Sequence, residues 1–280
     1  MNNISKEELQ RNQEKIRLVK QNAQIRRKKD SSAIHQSISW GLKPVRQLFN
    51  MWRFYRFNVR REKITQEYMA KDGFKGVQLG CGPNKMAGWI NSDMLYDRLP
   101  FQQHNPIEDL IDFPIDITKR LPFDDNSLDA IYAEELIEHV DLYGARAFFK
   151  DAKRVLKPNG VLRMTTPDIK KVCRMYLGEV DGFDLEDHKP YWLEEEWGHE
   201  IWLNGMFRYW GHQFLWSFET MQGELVKAGF DGVVECQPLK TQSGINELDN
   251  IDTRFNPNEA LSEFQAATTL IVETTPSSSA

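Results

Sequence analysis

Apolar and polar positions change their period along the chain. In residues 1–30, apolar side chains such as Leu9, Ile16 and Val19 are scattered among charges. Helix is compatible with that pattern, but it gives a helix little to bury. In 38–61, Val45, Leu48, Phe49, Trp52 and Tyr55 recur at three- and four-residue spacing, with Arg46, Arg53, Arg56 and Arg60 among them. This predicts a basic amphipathic helix with Pro44 in its first turn. From residue 72 short apolar runs alternate with helical stretches. Strands are expected at 76–80, 89–93, 129–133, 161–165, 233–236 and 268–272. Ala145, Phe148, Ala152 and Val155 mark a helix that Pro158 and Gly160 stop, and Ser217 caps another that Gly229 closes. Strands alternating with helices imply a mostly parallel sheet with helices on both faces.

Charge divides the chain in the same place. Residues 1–71 hold 17 Lys and Arg against 6 Asp and Glu, and the remainder holds 19 against 35. A basic helical arm, 1–71, is therefore expected to precede an acidic body, 72–280, with a tail after residue 273 expected to be disordered. The acidic body argues against a nucleic-acid footprint on it. The 280 residues suffice for a substantial core. No stretch approaches the roughly 18 apolar residues of a spanning helix, and the first residues lack the apolar core of a signal peptide. Cys81, Cys173 and Cys236 lie too far apart for a disulfide framework or a zinc knuckle, so a reducing, cytoplasmic setting is expected.

The chemistry-bearing stretch is Val77-Gln78-Leu79-Gly80-Cys81-Gly82-Pro83-Asn84, followed by Asp93. Glycines at a strand end let backbone approach a ligand, and an acid after the next strand can accept ribose hydroxyls. The third glycine of the dinucleotide fingerprint is missing. Asp93 follows Gly80 by only 13 residues, where that fingerprint needs about 20, which disfavours a nicotinamide enzyme. Further along come Asp116-Ile117-Thr118-Lys119-Arg120-Leu121-Pro122-Phe123, then Glu134-Glu135-Leu136-Ile137-Glu138-His139-Val140, then Arg154-Val155-Leu156-Lys157-Pro158-Asn159-Gly160.

In this order the motifs resemble class I S-adenosylmethionine-dependent methyltransferases. The likeness is to the small bacterial branch with a Leu-Gly-Cys-Gly-Pro-Asn loop followed by Gly88-Trp89-Ile90-Asn91-Ser92-Asp93, and it runs through 76–167. The resemblance implies a Rossmann-like α/β fold: a seven-stranded, mostly parallel sheet whose last strand is antiparallel. It implies S-adenosyl-L-methionine as cofactor, with Gly80, Cys81 and Gly82 beside its amino-acid part and Asp93 on the ribose. Asp116 would lie near the adenine, and Ala133, Glu134 and Glu135 along the methionyl side. The connection from Gly80 to Trp89 is too short for the usual first helix, since parallel crossovers generally need about a dozen residues. Either the helix shrinks to a turn or these strands are not neighbours.

Methyl transfer from an activated sulfonium needs alignment and, for a hydroxyl acceptor, a base. His139, His199, His212 and Asp168 are the candidates, with His212 and His139 the catalytic expectation. His212 lies in an aromatic-rich cap at about 176–218, holding Trp192, Trp197, Trp202, Trp210 and Trp216. These rings either pack on the sheet or stack on an acceptor. No His/Cys cluster has metal-ligand spacing, so no metal is expected. The expected partner is a small molecule or glycan, with a sugar hydroxyl of surface polysaccharide suggested by the resemblance. The aromatic face of 38–61 is expected to pack on the body. The alternative is peripheral contact with the inner face of a membrane.

Overall fold

The computed structural model describes residues 43–94, 109–180, 198–253, 255 and 265–277. The chain forms two compact units, residues 1–55 with 96–103 and residues 56–95 with 104–280. Trp192, Trp197 and the arm before residue 43 lie outside the described residues.

Helix α1 (Lys43–Met69) runs through both units and extends past residue 61, where the sequence period was expected to end. In the first unit, Val45, Leu48, Trp52 and Tyr55 are 44–67% exposed, while Phe49 is partly buried. Phe49 stacks on Trp52 with ring centroids 5.9 Å apart. The buried Arg53 donates to Asn50 Oδ1 at 2.6 Å. In the second unit, Phe57, Ile64, Tyr68 and Met69 pack against the main core. The Tyr68 hydroxyl accepts from the Gly76 N–H at 2.8 Å and faces the carbonyls of Gly76 and Gly88. It thereby pins the start of the first strand to the turn before the second.

The sheet comprises β1 (Gly76–Leu79), β2 (Ile90–Ser92), β3 (Leu128–Glu134), β4 (Leu156–Pro167), β5 (Phe230–Glu235) and β6 (Thr269–Pro276), in the order β2-β1-β3-β4-β6-β5. β2, β1, β3 and β4 pair in parallel, and β6 runs antiparallel to both β4 and β5. The last strand is antiparallel as expected, and β1 and β2 are parallel neighbours joined by turns alone. The short crossover has lost its helix.

Six strands form the ladder among the described residues, where seven were expected. The missing place beside β2 is taken by residues 111–117. Ile111, Phe113, Ile115 and Ile117 are buried in strand alternation. The Asp112 N–H donates to the Asn91 carbonyl, but the Asn91 N–H is taken by the Asp112 carboxylate at 2.8 Å. Pro114 removes another donor. The segment thus has a strand's burial with one backbone bond to β2 among the described residues.

Helices α2 (Leu142–Val155), α3 (Ile169–Tyr176), α4 (His199–Arg208) and α5 (Phe218–Ala228) accompany the sheet. α2 is capped by Asp141 and buries Ala145, Phe148, Phe149, Ala152 and Val155. Ser217 caps α5 as expected. In the sheet's middle, Arg163 is fully buried and grips Asp252 through two bonds of 2.9 and 2.5 Å, with Glu273 at 2.5 Å. The Leu239 N–H donates to Asp252 and the Gln242 N–H to Glu273, so this network fastens the 239–253 segment to β4 and β6.

Arg146 on α2 holds Glu224 of α5 in a bidentate pair at 2.6 and 2.9 Å. Hydrogen bonds from Arg146, then Lys227, pull the Glu224 carboxyl down from 4.5 to about 2. A depressed carboxyl stabilises the fold above its unfolded value, and that contribution is lost as pH falls from 4.5 through about 2. Urea melts of the parent and Glu224→Gln at pH 7 and pH 3 check this. Because Arg146 is largely solvated, the difference between them at pH 7 should be about 0.5–1 kcal/mol and should shrink at pH 3.

Candidate active site

The carboxyl ends of β1, β2 and β3 lie at one edge of the sheet, because all three run in parallel with Leu79 paired to both Ser92 and Ala133. β2 and β3 flank β1 on opposite sides, so the strand order reverses at β1, and a crevice at such a reversal is where open α/β sheets bind ligands. The loop after β1 is held by two bonds. The Cys81 N–H donates to the Ser92 carbonyl at 3.0 Å, and the Gly82 N–H to Asp93 Oδ2 at 2.8 Å. The Met94 N–H holds Asp93 Oδ1 at 2.6 Å. Each carboxylate oxygen keeps a further lone pair, so Asp93 is fixed in place and still able to accept.

Gly80 and Gly82 adopt φ of +67° and +51°, where side chains are strained. A Cβ on Gly80 would stand 3.1 Å from Leu136, whereas one on Gly82 would enter open space. The first glycine therefore lets Leu136 close over the loop, and the second leaves room before it. Burial is the main cause that raises the Asp93 pKa above the usual carboxylate range, opposed by its two backbone bonds. Cys81 is no nucleophile here. Burial foremost, then the nearby Asp93 and Asp112, pushes its thiol up to about 12.

At the end of β3, Ala133 is buried and Glu135 takes a positive φ of 51°, a costly conformation for a non-glycine residue. Glu134 accepts from the Thr253 hydroxyl, which in turn receives Asn84 Nδ2 at 2.9 Å. Asn84 and Thr253 thus join the β1 loop to β3, a link that the sequence reading missed. Asp116 uses Oδ1 to bind the N–H and hydroxyl of Thr118, fixing its own turn.

His139 and His212, expected separately, meet. Their rings are 5.0 Å apart and nearly perpendicular. The Ile137–His139 turn is tied to the next stretch by the Gln213 and Phe214 N–H groups, both donating to the Glu138 carbonyl, and by Gln213 Nε2 donating to the His139 carbonyl. His212 Nδ1 lies 2.6 Å from the Met206 carbonyl. A carbonyl only accepts, so Nδ1 carries the proton and Nε2 is the basic nitrogen of the neutral ring. The fully buried Glu138 accepts from Thr166 and has Oε1 4.0 Å from His139 Nε2. Donor atoms of Glu138, His139 and His212 all lie within 4.8 Å of one another, a cluster invisible in sequence spacing. The set can relay a proton or hold a cation.

Two other candidate bases stand elsewhere. Asp168 caps α3 by accepting from the Lys170 and Lys171 N–H groups, and His199 opens α4. Among the described cap tryptophans, Trp202 and Trp216 are fully buried, while Trp210 is half-exposed with its ring 5.6 Å from His212. Trp202 and Trp216 are thus core residues, whereas Trp210 packs on Tyr209 and His212 with about half of its surface exposed.

Residues 77–164 match the family model of a methyltransferase domain. Sterol 24-C-methyltransferase of Aspergillus fumigatus is 30% identical over 123 residues, 39% of this chain and 32% of that protein. The chain thus spans about a third of the length of this curated relative. The solved phosphoethanolamine N-methyltransferase 2 of Haemonchus contortus, bound to S-adenosylhomocysteine, is 14% identical with a TM-score of 0.39, over 74% of this chain and 50% of that one. The geranyl diphosphate C-methyltransferase of Streptomyces coelicolor is 12% identical with a TM-score of 0.37, over 80% of each chain. The family match runs from β1 into β4, so over this stretch the chain is similar to methyltransferase domains.

Proposed function

We propose that the protein transfers a methyl group from S-adenosyl-L-methionine to a small-molecule or glycan acceptor, a sugar hydroxyl of surface polysaccharide being the preferred one. The observation that carries this reading is the pairing of a cofactor loop locked to Asp93 with a histidine pair beside an exposed tryptophan. The residues fit the cofactor. Open space lies before Gly82, and a fixed carboxylate stands at the end of β2. Gly80, Cys81 and Gly82 would border its amino-acid part, with Asp93 accepting from the ribose hydroxyls. Asp116 would lie toward the adenine, and Ala133, Glu134 and Glu135 along the methionyl chain. When bound, the cofactor supplies an activated methyl group. Trp210 then gives a sugar ring a face to stack on, and His212 Nε2 takes the acceptor hydroxyl proton, with Nδ1–H held by Met206. The body, 72–280, carries this chemistry, in the branch with the Leu79–Asn84 loop.

Labelled methyl transfer into lysate fractions identifies the acceptor. With it, His212→Gln should lower turnover roughly a hundredfold, within the range of a general base, while cofactor affinity changes less than threefold. Equal turnover removes His212 from catalysis. Cofactor binding without transfer to any fraction favours a non-catalytic binding protein.

A further inference from the structure

We propose that the amino-terminal half of α1 is an interfacial anchor for an anionic lipid bilayer. Val45, Leu48, Trp52 and Tyr55, at spacings of three, four and three, share one helix face and are 44%, 67%, 51% and 67% exposed. Met51, Phe54 and Val59 are also more than half-exposed. Monomeric proteins rarely leave so contiguous an apolar surface open, and such patches mark interaction sites. The stretch from Lys43 to Arg61 carries six basic residues and no acid.

That charge selects the occupant. A second copy of the helix would set cations against cations with no carboxylate between Lys43 and Arg61 to pair with. A bilayer with anionic headgroups accepts both halves of the surface. Valine, leucine and the bodies of the aromatics enter the acyl boundary, and arginines reach phosphates. Trp52 and Tyr55 suit such a boundary, each having an apolar body and a polar tip. Among the described residues no helix is long and apolar enough to cross a membrane, so α1 lies in the surface. The anchor stands whatever the acceptor proves to be.

The test is sedimentation of the full chain with vesicles of phosphatidylcholine alone or mixed with phosphatidylserine. Binding to the mixed vesicles, weakening as salt rises, is expected. Arg60→Gln should lower the partition coefficient roughly fivefold, the worth of one basic side chain near such a surface. Trp52→Glu with Tyr55→Glu should abolish binding while circular dichroism and S-adenosylmethionine affinity stay at parent values, both side chains being exposed. Absence of binding to mixed vesicles at low salt overturns the proposal. So does equal binding to neutral vesicles, or a dimer in solution that the Trp52→Glu, Tyr55→Glu variant dissolves.

Discussion

Asp252→Ala should destabilise the body by about 3–5 kcal/mol, the usual cost of removing one partner from a buried ion pair. Arg163 has no exposed surface, and Asp252 meets it with both carboxylate oxygens. Without that carboxylate, Glu273 remains as the facing charge, and the Leu239 N–H loses its acceptor. The guanidinium does not shed its proton, so its charge stays buried with one partner gone. Total stabilities of about 5–15 kcal/mol make such a loss a large fraction of the fold. Urea unfolding of the parent, Asp252→Asn and Asp252→Ala measures it, with asparagine expected between the other two because it keeps acceptor oxygen and shape. An alanine variant within 1 kcal/mol of the parent, the scale of an exposed pair, would show that the network contributes little beyond packing.

Asp93→Ala should weaken S-adenosylmethionine binding roughly ten- to hundredfold, the range of a hydrogen bond to a charged group at about 1.5–3 kcal/mol. Two losses combine. On the proposed reading the ribose hydroxyls lose their acceptor, and the Gly82 N–H loses the bond that holds the loop. Calorimetry separates them, because Asp93→Asn keeps an acceptor for Gly82 and loses the charge, and should fall between parent and alanine. Affinity should also depend on pH. The ionised carboxylate is the better acceptor and burial raises its pKa, so affinity should begin to fall at a higher pH than for an ordinary aspartate as the solution is acidified. Unchanged affinity in Asp93→Ala removes it from the ribose.

Local signals made much of the body legible. Ser217 caps α5 because a hydroxyl before an apolar helical run is a short-range instruction, and Gly80 and Gly82 turn where β1 ends. The alternation Ile111, Phe113, Ile115, Ile117 was present in the sequence as well, yet no pattern of apolar residues reveals that Asp112 will take a ladder hydrogen bond. The Arg163 network was illegible for another reason: its partners lie 89 and 110 residues away, and an arginine inside a strand reads locally as polar. Likewise His139 and His212 could be named as candidates, but the bonds from Gln213 and Phe214 to Glu138 and His139 that bring them together join residues more than 70 positions apart. α1 was read short because the apolar face changes along it, from the exposed stripe around Trp52 to Ile64 and Tyr68 in the core.

The placement of the three cysteines has a practical consequence. Cys81 and Cys236 are buried, with burial the main cause pushing their thiols up to about 12 and about 11. At neutral pH neither offers an appreciable thiolate, the species that alkylating reagents attack. Cys173, partly open on α3, is left as the natural conjugation point. A maleimide dye should therefore attach at one position of the unaltered chain, supplying a fluorescent reporter without engineered cysteines.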